Sequence, residues 1–103
     1  MSIKTQNQSN FKIDIEDEIK EPPMCKVILL NDDFTTKEFV VEILIKIFNK
    51  SSSVANELME TIHKTGSAIV GIYSYDIAKS LAQLTIKTAR ENGFPLRCEV
   101  EEE

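Results

Sequence analysis

The stretch LLNDDFTTKEF, residues 29–39, joins the end of a strand to the start of a helix through a short polar loop. The run MCKVILL, residues 24–30, is apolar and β-branched, which is typical of a short strand. Thr35 and Glu38 have capping-box spacing, so we predict that Thr35 is the N-cap of the helix. The loop also sets two acids side by side, which raises the question of what they face.

The same kinds of signal continue along the chain. A polar connector at 49–53 precedes a second helix, which we expect Gly66 to end in the left-handed conformation. The next strand, at 67–73, contains Gly71 as a candidate bulge, and Ser74 is expected to cap a third helix. The positions expected to face the core are Phe39, Val40, Ile43, Leu44, Ile47, Phe48, Val54, Ala55, Leu58, Met59, Ile62, Ile77, Ala78, Leu81, Ala82, Thr85, Ile86, Ala89, Leu96, Cys98 and Val100.

The resulting order, β-α-α-β-α-β, predicts an α+β fold. We expect a single two-layer domain in which three helices pack on a small three-stranded antiparallel sheet. Residues 1–22 are polar with few apolar positions, which predicts a flexible tail. The pair Pro22-Pro23 marks the predicted boundary, so that 23–103 form the folded domain.

The composition of the chain argues against a nucleic-acid-binding protein and against a membrane protein. The chain has 103 residues and a formal net charge of −5, which disfavours nucleic acid as a partner because phosphate binding needs clustered Lys and Arg. It contains no apolar run of the ~18 residues that a membrane helix needs, and its first residues lack the apolar region of a signal peptide. We therefore expect a cytoplasmic protein that binds no membrane.

The side chains that could carry chemistry are few. Cys25, Cys98 and His63 have no close spacing, so we expect no metal site and no cofactor. We interpret both cysteines as core residues, and a contact between them across neighbouring strands stays open. No nucleophile accompanies a base, so we expect no enzyme. His63 near a helix end can simply complement the helix dipole.

The loop Asn31-Asp32-Asp33 has two interpretations from its residues alone. Asn and Asp favour turns, and acids suit the positive end of a helix. With Thr35 expected to supply the cap, these three acceptor-rich side chains are also free to face a cation. An ammonium group offers three donors and needs three acceptors.

Three segments of the chain resemble the ClpS family, the adaptors of the ATP-dependent Clp protease. They are PPMCKVILLNDDFTTKEFV, ANELMETIHKTGSAIVGIYSYDIA and TARENGFPL, and the likeness runs in order over residues 22–99. The resemblance implies a small α/β domain similar to the C-terminal domain of the ribosomal stalk protein. It also implies binding of N-degron substrates, whose first residue is typically Leu, Phe, Tyr or Trp.

The resemblance assigns roles to residues around the loop. It implies that the α-amino group of the substrate is held by Asn31, Asp32 and His63, and that Asp33 supports the motif. It implies an apolar pocket for the first side chain. The pocket positions are Val40, Met59, Ile62 and Leu96, with Thr35 at the rim and Thr36-Lys37 where the family usually has Pro-Met. The family's Met guards the pocket mouth, and a Lys stem can cover apolar surface in the same way.

The resemblance also implies a partner. ClpS proteins dock on the N-terminal domain of a Clp-type AAA+ unfoldase, ClpA- or ClpC-like, and we expect a monomer. Asp76 matches the acid that the family uses for docking, while Leu81 stands where a base is usual. The tail is expected to engage the unfoldase during hand-over. The alternatives are a stalk-type factor-recruiting module on the same fold and an adaptor whose substrate set Lys37 has changed.

Overall fold

The computed structural model describes residues 23–103, and the predicted flexible tail and its boundary at Pro22 lie outside this range. Six elements follow in the predicted order, β-α-α-β-α-β. They are β1 (Met24–Leu30), α1 (Lys37–Lys46), α2 (Ser52–Thr65), β2 (Ser67–Ser74), α3 (Tyr75–Glu91) and β3 (Arg97–Glu102). The α+β class is confirmed.

The sheet has the strand order β2-β1-β3, and β1 pairs antiparallel with both neighbours. The central strand alternates in burial: Cys25, Val27 and Leu29 point into the core, and the residues between them are partly exposed. This period of two is what a sheet covered on one face produces. The three helices lie on the covered face.

The predicted bulge in β2 is present. Val27 pairs with Gly71, whereas the next residue, Ile28, pairs with Ile69, so that β2 has one extra residue at this point. A side chain at Gly71 would collide with the ring of Tyr73. A larger residue here would have to displace the end of the Tyr73 side chain, so the small size of glycine suits this close approach.

The two cysteines are core residues, as predicted. Cys25 pairs with Glu102 of β3, and Cys98 pairs with Leu29, so the two are not cross-strand partners. Both are buried free thiols. Burial, with a smaller contribution from the charge of Glu99, raises the pKa of the Cys98 thiol to about 12. The possible contact between the cysteines that the sequence left open is not formed.

Each helix buries a narrow stripe. The long helix α3 packs on all three strands through Ala78, Ala82, Thr85 and Ala89, and α2 packs on both α1 and β2. Two core predictions are wrong, because Val54 and Ile77 are 41% and 53% exposed. Each stands one residue before the first buried residue of its stripe. One residue rotates the side chain by about 100° around the helix, which turns it outward.

Candidate functional site

The loop after β1 is organised by Asp32. Its Oδ1 accepts hydrogen bonds from the backbone N–H groups of Phe34 and Thr35, at 2.8 and 2.7 Å. Its Oδ2 accepts from the hydroxyl of Thr35, at 2.7 Å. Thr35 is thus held within the loop, and the prediction that it caps the helix is wrong. The N-cap of α1 is Thr36, whose hydroxyl oxygen accepts from the N–H of Phe39 at 3.1 Å.

These hydrogen bonds set the charge of Asp32. Burial alone would raise the pKa of this carboxyl, but the hydrogen bonds from Thr35 and Phe34 and the charge of Arg97 outweigh it. The pKa of Asp32 is therefore below its ordinary value, and the side chain is a carboxylate at neutral pH. The loop presents a fixed negative charge.

The end of α2 meets this loop. Gly66 ends the helix in the left-handed conformation, with φ of 100°, which confirms the prediction from the sequence. Its carbonyl oxygen accepts a hydrogen bond from the N–H of Asn31 at 2.8 Å, next to the Leu30–Ser67 pair of β1 and β2. The polar loop is thereby brought beside His63, in the last turn of α2.

A cavity of about 230 Å³ lies between the loop and the first two helices. Its polar lining comes from Asn31, Asp32, Asp33, Thr35, Lys37 and His63, and its apolar lining from Val40, Met59 and Ile62. The three apolar residues are at most 8% exposed, so the cavity wall is the outer edge of the hydrophobic core. A pocket with an apolar wall and a few convergent polar groups suits a small ligand with one charged end.

The chain is similar to known proteins over most of its length. A family model described as ATP-dependent Clp protease adaptor protein ClpS matches residues 20–99. The chain belongs to the ClpS family. It is thus a Clp protease adaptor by family, and the ClpS resemblance read from the sequence is confirmed.

Individual ClpS proteins resemble the chain over its whole length. The ATP-dependent Clp protease adapter protein ClpS of Treponema denticola is 50% identical over 101 residues, which is 98% of each chain. That of Acetivibrio thermocellus is 47% identical over 103 residues, which is 100% of each. The solved structure of Agrobacterium tumefaciens ClpS2 bound to L-phenylalaninamide has a TM-score of 0.78 and 40% identity. It covers 81% of this chain, and this chain covers all of it.

The ClpS resemblance placed eleven residues at the substrate site, of which nine line the first cavity and two do not. Thr36 is committed to the cap of α1. Leu96 is 1% exposed and lies in the core just before β3. Neither is among the lining residues of the cavity, and the functional roles of all eleven stay predictions.

A second cavity, of about 360 Å³, was not anticipated from the sequence. It adjoins the first, since Lys37 and Met59 line both, and it is completed by Glu38, Val41 and Asn56. No sequence motif predicts this second cavity. Its only signal is that three of its lining residues lie on α1 at positions 37, 38 and 41, the spacing of one helix face.

The positions that the ClpS resemblance assigned to docking lie on α3. Asp76 is exposed in its first turn, and Leu81 is partly buried against the core. They are five positions apart in the sequence, which places their side chains about 140° apart around the helix. Asp76 also lines a surface depression with Pro23, Tyr75 and Glu102, away from the cavities described above.

Residues 23–103 contain neither a metal-binding cluster nor a membrane-spanning helix. Side chains of His, Cys, Asp and Glu do not gather there in any group of three or more that could hold a metal ion. In the same range, the helices are too short or too polar for any of them to cross a membrane.

Proposed function

We propose that this ClpS-family adaptor binds N-degron substrates, which carry a free α-amino group and a bulky apolar first residue, and delivers them to a Clp-type AAA+ unfoldase. The observation that carries the proposal is the composition of the first cavity. It combines a fixed carboxylate and further acceptors with a buried apolar wall. A free N-terminus with a Leu, Phe, Tyr or Trp side chain presents the matching pair of groups.

The polar side of the cavity has unused acceptor capacity. A carboxylate has about four acceptor positions, and Asp32 uses three of them within the loop, which leaves one on Oδ2. The side chains of Asn31 and His63 make no hydrogen bond to residues 23–103. Asp32, Asn31 and an acceptor nitrogen of the His63 imidazole therefore offer the three acceptors that an α-ammonium group needs.

The apolar side of the cavity supplies selectivity for the first side chain. Val40, Met59 and Ile62 are held in place by the core, so the wall exists before the substrate arrives. Removing a Leu or Phe side chain from water is worth about 1.5–3 kcal/mol. A Ser or Glu side chain gains nothing comparable there, and a buried polar end without a partner costs free energy.

The ligand of one related structure supports the same assignment. L-phenylalaninamide, bound to the Agrobacterium tumefaciens ClpS2, has a free α-amino group, an aromatic side chain and a blocked carboxyl group. It therefore resembles the first residue of a peptide. We propose that the corresponding part of a substrate occupies the cavity of this chain.

Delivery is part of the proposal. The α3 surface that includes Asp76 and Leu81 would dock on the N-terminal domain of a ClpA- or ClpC-like unfoldase, and residues 1–22 would engage the unfoldase during hand-over. In this scheme the chain acts as a cytoplasmic monomer that carries substrates and catalyses nothing itself.

Fluorescence anisotropy with labelled peptides that differ only in their first residue tests the proposal. Peptides that begin with Leu or Phe should bind more than tenfold more tightly than those that begin with Ser or Glu, from the burial of one apolar side chain. Acetylation of the Leu peptide should lower its affinity at least tenfold, because it removes the charge. A factor-recruiting module on the same fold would bind all of these peptides alike, and that result would refute the proposal.

A further inference from the structure

Lys37 stands where the two cavities meet. It lines the first cavity with the acids of the loop, and it lines the second with Glu38, Val41 and Asn56. Among residues 23–103, Met59 is the only other residue that lines both cavities, and Met59 is buried, whereas Lys37 is exposed. Lys37 is thus the solvent-facing side chain of the wall between them.

The ammonium of Lys37 is free to act on a ligand. The ion pairs formed within the described residues are Lys46–Glu42 and Lys87–Glu91, so Lys37 has no carboxylate partner there. It is also the first residue of α1, after the Thr36 cap. A cation is unfavourable at the positive end of a helix, so this lysine does not serve the stability of α1. A residue that breaks a local rule in this way is a candidate for a functional role.

A bound peptide would pass this lysine soon after its first residue. With the α-amino group at the loop and the first side chain on the apolar wall, the second residue lies about 3.5 Å further along the peptide. At the exposed edge of the wall between the two cavities, this second residue would lie near Lys37. If the second residue of the peptide is acidic, Asp32 and Asp33 repel its side chain on one side. A favourable charge interaction is available to that side chain only on the side of Lys37.

We propose that Lys37 is a specificity-determining residue that selects substrates with an acidic second residue over substrates with a basic one. This inference rests on the proposed function, since it concerns the same peptide. Glu38 lines the second cavity but not the first, and it opposes the effect of Lys37 there. The preference should therefore weaken when Lys37 is neutralised and grow when Glu38 is neutralised.

The test uses labelled peptides that begin with Leu and carry Glu, Gln or Lys as the second residue. At low salt, the wild type should bind the Glu peptide more tightly than the Lys peptide by on the order of fivefold, the upper range for one exposed charge pair. The ratio should shrink at about 0.5 M salt, where exposed charges are screened. Lys37→Met should bring it near one, Lys37→Glu should reverse it, and Glu38→Gln should increase it.

The matched control is Lys79→Met. Lys79 lies on α3 with its ammonium 5.9 Å from the centre of the Tyr75 ring, and it lines neither cavity. Its loss changes the net charge as Lys37→Met does, and it should leave the ratio unchanged. Each ratio compares two peptides on the same variant, so a change in overall affinity caused by Lys37→Met does not affect the comparison, and the Gln peptide gives the neutral reference for each variant.

The outcomes separate the two proposals. If Leu peptides bind and Ser peptides do not, but Glu and Lys at the second position bind alike, this inference is wrong and the proposed function stands. The same holds if Lys37→Met keeps the wild-type ratio, or if Lys79→Met changes it equally. If no Leu peptide binds, both proposals fail.

Discussion

Replacing the two loop acids one at a time separates the carboxylate that would face the substrate ammonium from its neighbour. Asp32→Asn keeps the Oδ1 acceptor for the N–H groups of Phe34 and Thr35. The Thr35 hydroxyl can rotate and accept from the new amide instead of donating to Oδ2. The variant therefore retains the hydrogen bonds of the loop and loses the charge. Asp33→Asn removes an equal charge from an exposed residue whose side chain makes no hydrogen bond to residues 23–103.

The expected losses differ because the two carboxylates differ in surroundings. A charge-assisted hydrogen bond contributes about 1.5–3 kcal/mol, so Asp32→Asn should weaken binding of a Leu peptide by about tenfold to a hundredfold. An exposed charge contributes about 0–1 kcal/mol, so Asp33→Asn should weaken it by no more than about fivefold. Anisotropy titrations at one pH and salt concentration measure both values.

A control and a refuting result accompany this comparison. Thermal unfolding of the free variants shows whether the loop has been kept, and Asp32→Ala, which removes all three acceptor contacts, should unfold at a lower temperature than Asp32→Asn. An acetylated Leu peptide should bind the wild type and Asp32→Asn with nearly the same weak affinity. Acetylation has removed the positive charge of the peptide, so the carboxylate of Asp32 has no ammonium group to attract. If Asp32→Asn and Asp33→Asn bind the free peptide equally well, Asp32 is a loop residue and not an ammonium ligand.

The shifted pKa values of Asp32 and Cys98 have measurable consequences for stability and reactivity. Since the pKa of Asp32 is lower in the folded chain than its ordinary value of 3.8, its stabilising effect is fully present above about pH 4 and is lost as the pH falls through the lowered value. Urea unfolding should show a stability difference between wild type and Asp32→Asn at pH 7 that shrinks towards pH 2; a constant difference would contradict this. Since burial raises the pKa of Cys98 to about 12 and both thiols are buried, neither cysteine should react with a thiol reagent at pH 7.5 until the chain is unfolded. Rapid labelling of the native chain would show that the sheet opens.

The element order could be read from the sequence because each element carries its own local signal. Period-two and period-three-to-four patterns predicted the three strands and three helices, and Gly66 and Gly71 predicted a cap and a bulge that are both present. The capping error arose because two neighbouring threonines can each supply the cap of α1. Thr35 had the better capping spacing, but Asp32 holds its hydroxyl in the loop, so Thr36 takes the cap.

The grouping of the site residues could not be read from local patterns. His63 is 32 residues away from Asn31 in the sequence. The apolar pattern of a helix or strand does not predict which ends of the elements lie next to each other in the fold. The resemblance supplied the grouping in advance. The second cavity shows the limit of both approaches, because it is formed by the packing of α1 against α2 and has neither a motif nor a recognised counterpart.

The geometry of the proposed ammonium site depends on the contact between the end of β1 and the start of β2. The loop acceptors belong to the end of β1 and His63 belongs to the end of α2, so their distance depends on how the start of β2 is attached to β1. That attachment is the Leu30–Ser67 pair together with the hydrogen bond from Asn31 N–H to the Gly66 carbonyl. A slip of one residue in this pairing would turn the side chains of β1 to the opposite face and move the loop away from His63. The bulge at Gly71 lies further along the same strand pair, so the end next to the site keeps regular pairing from Ile28 to Leu30. The irregular part of the β1–β2 pair is therefore separated from the end that carries the residues that we propose bind the substrate.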